Sequence, residues 1–183
     1  SLVALACAAF NKQAFALQES FPSKPIRLVV PYAPGSGTDL VARILAEELQ
    51  HELGVAIIVD NRAGANGTIG SAFVAKAVPD GYTLLLGGSS THSSAPSFYK
   101  KLPYDPERDF EMITNVVESQ FLLVVRGESP VHDVRGLRDA LVANKDKAAY
   151  GFGSATTQIA GAAFVKRLGL EIAAVPYKSN PQA

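Results

Sequence analysis

"VVPYAPGSGTDLVARILAEEL", residues 29–49, runs from the end of a β-branched stretch through Pro, Gly, Ser, Gly, Thr and Asp into a helical repeat. Upstream, Ile26 to Val30 has the apolar, β-branched character of a short buried strand. Downstream, Leu40, Val41, Ile44, Leu45 and Leu49 recur at helical spacing, and Gly54 ends the helix. The loop Gly35-Ser36-Gly37-Thr38-Asp39 therefore offers backbone N–H groups at the positive end of a helix dipole, which makes an anion seat. An ordinary N-cap, with Thr38 or Asp39 bonding the first-turn amides, accounts for the same residues. The third glycine of G-x-G-x-x-G would fall at Leu40, and no Gly-Lys-Ser/Thr follows, so the loop is neither a dinucleotide fingerprint nor a Walker loop.

Working outward, Val55 to Val59 reads as a second strand and is followed by the Gly-rich "NRAGANGTIG", which opens a helix with Ile69 and Phe73 on one face. The turn Pro79-Asp80-Gly81 leads into a third strand, Tyr82 to Leu86, and completes a βαβαβ unit. After an irregular stretch containing "KLPYDPERDF" the order recurs. It predicts a strand at 121–125, a helix near 133–144, a strand at 148–152, a helix over 155–168 and a strand at 171–175. Alternating strands and helices imply parallel sheets, whose ligands collect at the carboxyl ends of strands beside helix N-termini.

Composition narrows the class of partner. With 48% apolar and 19% charged residues the 183-residue chain is a globular protein, and 17 basic residues balance 17 acidic ones, so no global field draws it to nucleic acid or anionic lipid. Residues 1–16, "SLVALACAAFNKQAFA", are apolar and small and end in an A-x-A pattern, as the remnant of a secretory signal does. A buried N-terminal helix is the other reading of that segment. Cys7, the only cysteine, lies inside it; a lipid anchor there is a further reading, and the mature chain is expected to carry no disulfide or thiol chemistry. The sequence holds no other long apolar run of membrane-spanning length.

Three loops of the first unit, together with a fourth in the second, share one chemistry. "NRAGANGTIG" (61–70), "GGSSTHSSAP" (87–96) and "GFGSATTQIAG" (151–161) are small and polar like the first loop, and the last places Ser154, Thr156 and Thr157 at a helix start. Hydroxyls and amides at opposing helix N-termini suit a ligand with acidic groups at both ends. Catalytic signals are thin: Ser36 and Ser154 make no G-x-S-x-G, no H-x-x-x-H or C-x-x-C occurs, and His51 and His132 fall on polar stretches. His92 lies in a candidate loop without a nucleophile or carboxylate nearby in sequence, which favours a hydrogen-bonding or structural role. Arg62 can contact an anion or pair with Asp60, and Lys178 is similarly ambiguous.

"PSKPIRLVVPYAPGSGTDLVARILAEEL", "VDNRAGANGTIG", "PDGYTLLLG", "KLPYDPERDF" and "VPYKSNPQA", in this order, resemble the Bug family, the periplasmic solute-binding proteins of tripartite tricarboxylate transporters. The resemblance runs from about Pro22 to Ala183 and implies an α/β periplasmic-binding-protein (Venus flytrap) fold, two α/β domains with mainly parallel sheets. On it, Tyr32, Gly35, Ser36, Gly37 and Thr38 face the ligand carboxylate, with Asp39 capping the helix. Asn66, Gly67 and Thr68 form the second loop, Ser89, Ser90, Thr91 and His92 the third, and Ser154, Ala155, Thr156 and Thr157 the variable distal side. Ser36 stands where glycine is common in the family, and Ala63 where proline is.

The resulting expectations are a signal remnant at 1–16, one domain at 22–117 and a second, partial one at 118–183, with a hinge strand near 117–120 and the C-terminal part of the family's fold lying beyond Ala183. The implied function is capture of a small carboxylate between the two domains, in the periplasm, by a monomer that delivers it to a membrane permease. No cofactor, metal or catalytic residue is assigned, and no nucleic acid is expected. A carboxylate sensor for a signalling receptor and a secreted hydrolase using His92 are the alternative readings.

Overall fold

β1 (Ile26–Val30) is the central strand of a three-stranded parallel sheet, between β2 (Ile57–Asn61) and β3 (Thr83–Leu85). Ile26 stands opposite Ile57 and Val30 opposite Asn61 on one side, while Arg27 to Val29 stand opposite Thr83 to Leu85 on the other. The computed structural model in which these elements are seen describes residues 20–183, so the segment read as a signal remnant, with Cys7, lies outside the described residues. A parallel strand paired on both edges is covered on both faces, which is why Ile26, Leu28, Val29 and Val30 are all buried.

Helix α1 (Gly37–Leu53) returns over the face that carries Ile26, Leu28 and Val30. It ends at Gly54, whose φ of 68° is the left-handed conformation of an αL cap, with its N–H donated to Gln50 O. The expected apolar stripe is displaced. Ala42 and Ala46 are buried and Leu45 and Leu49 pack against the core, whereas Leu40 and Ile44 are 62% and 58% exposed. Positions 42, 45, 46 and 49 form one i, i+3, i+4, i+7 face, and two alanines on it let the helix axis approach the sheet closely. β2 begins at Ile57 rather than Val55, where its register with Ile26 starts.

A 3₁₀ turn (Ala65–Gly67) leads into α2 (Thr68–Ala75), which packs against β1 and β3, and α3 (Ala95–Phe98) is a short helix that the sequence pattern does not show. The second unit contains α4 (Val134–Ala143), β4 (Ala149–Phe152), α5 (Ala155–Arg167) and β5 (Ala173–Pro176), with β4 and β5 parallel. Asp133 caps α4, accepting the Gly136 N–H at 2.7 Å.

The strand expected at 121–125 is absent, and residues 111–126 carry no regular secondary structure. Leu122 and Val124 are 82% and 77% exposed. A β-branched run becomes a strand only where a neighbour pairs with its N–H and C=O groups, and among the described residues none pairs with this one.

Ile26→Ala should lower stability by about 2–5 kcal/mol in urea denaturation, because the side chain is buried in the core cluster with Leu28, Val30, Ala42, Ala46 and Ile57. Leu40→Ala should change it by less than about 0.5 kcal/mol. A large loss for Leu40 would restore the sequence-derived stripe and contradict the observed helix orientation.

Candidate functional site

The first loop is shaped by its own side chains. Ser36, extended at φ −71° and ψ 160°, is the N-cap of α1, and its hydroxyl accepts the Asp39 N–H at 3.2 Å. The expectation that Asp39 caps the helix is corrected here. Asp39 is 3% exposed and turns inward: Oδ2 accepts from Gly35 N–H at 2.9 Å and Arg43 Nε at 3.1 Å, and Oδ1 accepts from Asn61 Nδ2 at 2.9 Å. The capping duty belongs to Ser36 because it is the last extended residue before the helix, whereas Asp39 is already the third helical residue, whose N–H the cap accepts. Gly35, at φ 79°, thus has its N–H committed to Asp39, while the Gly37 and Thr38 amides open the helix with no acceptor among the described residues.

The second and third loops interlock through small residues. Gly67 has φ 90°, and a Cβ there would stand 2.6 Å from Thr91 Cγ2 and 3.3 Å from Pro31 Cβ. Thr91, fully buried, closes the third loop on itself: its Oγ1 accepts the Gly88 N–H at 3.0 Å and lies 2.9 Å from His92 Nδ1. His92 also sets its ring edge-on to Phe110 at 4.9 Å, and burial lowers its pKa, so the neutral imidazole is the favoured form. This is a packed histidine with no nucleophile hydrogen-bonded to its ring beyond Thr91. Thr68 turns its hydroxyl to Ala65 O at 3.0 Å.

Two tyrosines that the sequence reading passed over hold these loops in place. Tyr104, from "KLPYDPERDF", donates its hydroxyl to Thr91 O at 2.6 Å and packs edge-on to Phe110. Tyr99 donates to Ala65 O at 2.9 Å and accepts from Asn66 Nδ2 at 3.3 Å. Burial raises the phenol pKa of both Tyr104 and Tyr32, and Ser90 beside Tyr32 offsets part of that rise. Both phenols stay protonated over the whole neutral range. A sequence signal for Tyr104 existed in its motif, but its partner is 13 residues away, beyond any local periodicity.

The fourth loop reaches the third. Ser154 caps α5 in a reciprocal capping box with Thr157, giving Ser154 N–H to Thr157 Oγ1 at 3.2 Å and Thr157 N–H to Ser154 Oγ at 3.4 Å. Thr157 is therefore occupied with the cap. Thr156 on the next position points across, with its Oγ1 3.0 Å from both Ser89 Oγ and Ser90 Oγ. Ala155 is fully buried beside them. Of the sequence-derived residues, Ser89, Ser90 and Thr156 are joined directly, Asn66, Gly67, Thr91 and His92 form the scaffold around them, and Tyr32 and the Gly37 and Thr38 amides stand at the same carboxyl edge of the first sheet.

Other candidates fall away on their contacts. Arg62 pairs with Asp60 at 2.9 Å and lies 3.5 Å over the Phe73 ring, so its role in the loop is structural. His51 is exposed beside Glu52, and His132 is exposed. Among the described residues no group of three His, Cys, Asp or Glu is placed to hold a metal, and no helix is long and apolar enough to cross a membrane. An open depression of about 720 Å³ lies to one side, lined by Tyr99, Lys100, Leu102 and Tyr104, and touches the four loops only at Pro96, the last residue of the third.

Parallel α/β units whose strand-to-helix loops meet at their carboxyl edges are the architecture of periplasmic binding proteins, and solved structures of that class superpose on this chain. BugD, a periplasmic binding protein, matches with a TM-score of 0.77 and 37% identity over 88% of this chain and 55% of its own. MatC from Rhodopseudomonas palustris with bound malate matches at 0.81 and 30%, covering 88% and 56%. R. palustris Rpa4515 with adipate matches at 0.76 and 28%, covering 88% and 55%. The chain belongs to the family described as tripartite tricarboxylate transporter family receptor, TctC, which it matches over residues 41–183. A UPF0065 protein of Bordetella bronchiseptica is 37% identical over 165 residues, 90% of this chain and 49% of that protein, so the chain spans about half the length of the curated relatives it matches.

Burial alone would raise the Asp39 pKa, but the hydrogen bonds from Gly35, Arg43 and Asn61 and the Arg43 charge outweigh it and hold the carboxyl below its ordinary value. A carboxyl depressed in the folded state stabilises the fold above its unfolded pKa of about 3.9 and loses that contribution as pH falls through the folded value. Asp39→Asn should therefore cost about 1–3 kcal/mol at neutral pH, with the gap to wild type narrowing at about pH 3. Urea titrations at the two pH values measure this, and a gap that widens in acid would mean Asp39 is not the depressed group. Gly67→Ala should also destabilise, by about 1–3 kcal/mol, from strained φ and the clash with Thr91.

Proposed function

We propose that this chain is the ligand-capturing portion of a periplasmic solute-binding protein, which takes up a small carboxylate between two α/β domains, 22–117 and 118–183, and delivers it to the permease of a tripartite tricarboxylate transporter. The observation that carries the reading is Thr156 seated between Ser89 and Ser90, which brings the N-terminus of α5 onto the third loop of the first sheet. A ligand entering there meets the hydroxyls of Ser89, Ser90 and Thr156, with the open Gly37 and Thr38 amides as the seat for its carboxylate. Two matched structures contain malate and adipate, both small dicarboxylates, which fits an acid held at each end. The protein works as a monomer and by binding alone: the grip is hydrogen bonding, with no covalent step and no cofactor.

Gly37 gives a clean test of the seat. It is the first residue of α1, the preceding Ser36 is already extended, and nothing lies within 4 Å of a Cβ at this position. Proline is well tolerated at such a position, so Gly37→Pro removes one N–H while leaving the helix intact. In calorimetry against malate and adipate the variant should bind about 10- to 100-fold more weakly, the worth of one hydrogen bond to a charged group, with its ligand-free melting temperature unchanged. Thermal shift measures the primary claim: each acid should raise the melting temperature through preferential binding to the folded state, and its uncharged diamide should not. Equal shifts by acid and diamide, or none by any small acid, would remove the carboxylate reading.

A further inference from the structure

We propose that Asn180 is a positioning residue for the distal half of the site, fixing the turn between β4 and α5 so that Thr156 meets Ser89 and Ser90. Its Oδ1 accepts the Gly153 N–H at 2.9 Å and lies 3.0 Å from the Thr157 hydroxyl. Gly153 immediately precedes the N-cap Ser154, and Thr157 is the other half of the capping box. One side-chain oxygen therefore grips the helix start at both of its ends.

The topology explains how a residue in "VPYKSNPQA" reaches that turn. β5 runs parallel to β4, and Tyr177 N–H continues the ladder to Phe152 O at 2.8 Å, so the chain leaving β5 lies alongside the chain leaving β4. Contact there is close enough that a Cβ on Gly153 would fall on the Ser179 and Asn180 backbone. Ser179 is buried in this contact, and the Ala183 N–H folds the segment back onto Ser179 O and Asn180 O. The identity of the gripping atom follows from chemistry. An amide N–H only donates, so the Asn180 atom facing Gly153 is its carbonyl oxygen, and an oxygen with two lone pairs serves both partners.

An alanine at 180 leaves the Gly153 N–H to water and frees the Thr157 proton to turn wholly to Ser154 O, 3.0 Å away. The capping box survives, but its orientation relative to β5 is no longer set by a side chain. Thr156 lies inside this box, one residue from Thr157, so its reach across to the third loop depends on that orientation. The role of Asn180 toward a ligand rests on the carboxylate reading above; its role toward the turn does not.

Two measurements on the chain separate these. Hydrogen–deuterium exchange at the Gly153 amide should speed up about three- to tenfold in Asn180→Ala, the effect of losing one hydrogen bond. Asn180→Asp, which keeps an oxygen in the same place, should restore the wild-type rate, a rescue that loss of packing alone would not give. In thermal shift, malate should raise the melting temperature of the alanine variant less than that of wild type. An unchanged exchange rate in Asn180→Ala, or equal acceleration in the alanine and aspartate variants, overturns the proposal. If malate and adipate leave wild type unmoved, the carboxylate reading fails by itself and the exchange comparison still decides the place of Asn180. Should the alanine variant not fold, Asn180→Leu, similar in volume and without an acceptor, is expected to show the same accelerated exchange, and wild-type protection there overturns the proposal equally.

Discussion

The buried carboxylate of Asp39 collects donors from three places in the chain: the Gly35 amide of its own loop, Arg43 one turn further along α1, and Asn61 at the end of β2. Asn61 also gives its second proton to Tyr32 O at 3.2 Å, so one side-chain amide joins the first loop to the neighbouring strand twice. A buried charge is tolerated only when its lone pairs are filled, and here filling them dictates the path of the backbone from Tyr32 to Asp39. The Gly37 and Thr38 amides, first in the helix, are left without an acceptor among the described residues, while Gly35 and Ser36 are engaged with Asp39. Everything ascribed to the first loop depends on that division of donors.

The next two loops obey a similar logic, with volume in place of charge. Gly67 lies against Thr91 and Pro31 with no space for a side chain, and Tyr104 and Phe110 press on the third loop from the other side. Ser71 is fully buried and donates to Gly67 O at 3.0 Å, which fixes the second loop to α2. Three loops that are separate in sequence thus form one packed layer at the carboxyl edge of the sheet.

The order of elements was legible in the sequence because it depends on local signals. β1, the Gly54 cap, the Pro79-Asp80-Gly81 turn, α4 between Asp133 and Asn144, and α5 all stand within a residue or two of where spacing and capping chemistry put them. The failures are those that local signals cannot foresee. Residues 121–125 have strand composition without a strand to pair with, and Leu40 and Ile44 have helical spacing on the wrong face because the alanines opposite them carry the close packing. At the candidate site the glycines and hydroxyls were visible as a class, but their assignments were not. Where the Asp39 carboxylate turns depends in part on Asn61, 22 residues away, and the contributions of Tyr99, Tyr104 and Asn180 all come from partners more than ten residues distant.

The row formed by Ser89, Thr156 and Ser90 has no fixed polarity. Each hydroxyl carries one proton and two lone pairs, and a concerted rotation of the three O–H bonds reverses the direction in which the row points without moving a heavy atom. The backbone amides of Gly37 and Thr38 have no such freedom and can only give protons. A molecule spanning the two would find one end of its berth strict and the other accommodating: an acceptor is compulsory at the amides, while a carboxylate, a carbonyl or an alcohol satisfies the hydroxyls equally well. Proteins with the same loops could then diverge in what they hold without altering a single residue at the strict end.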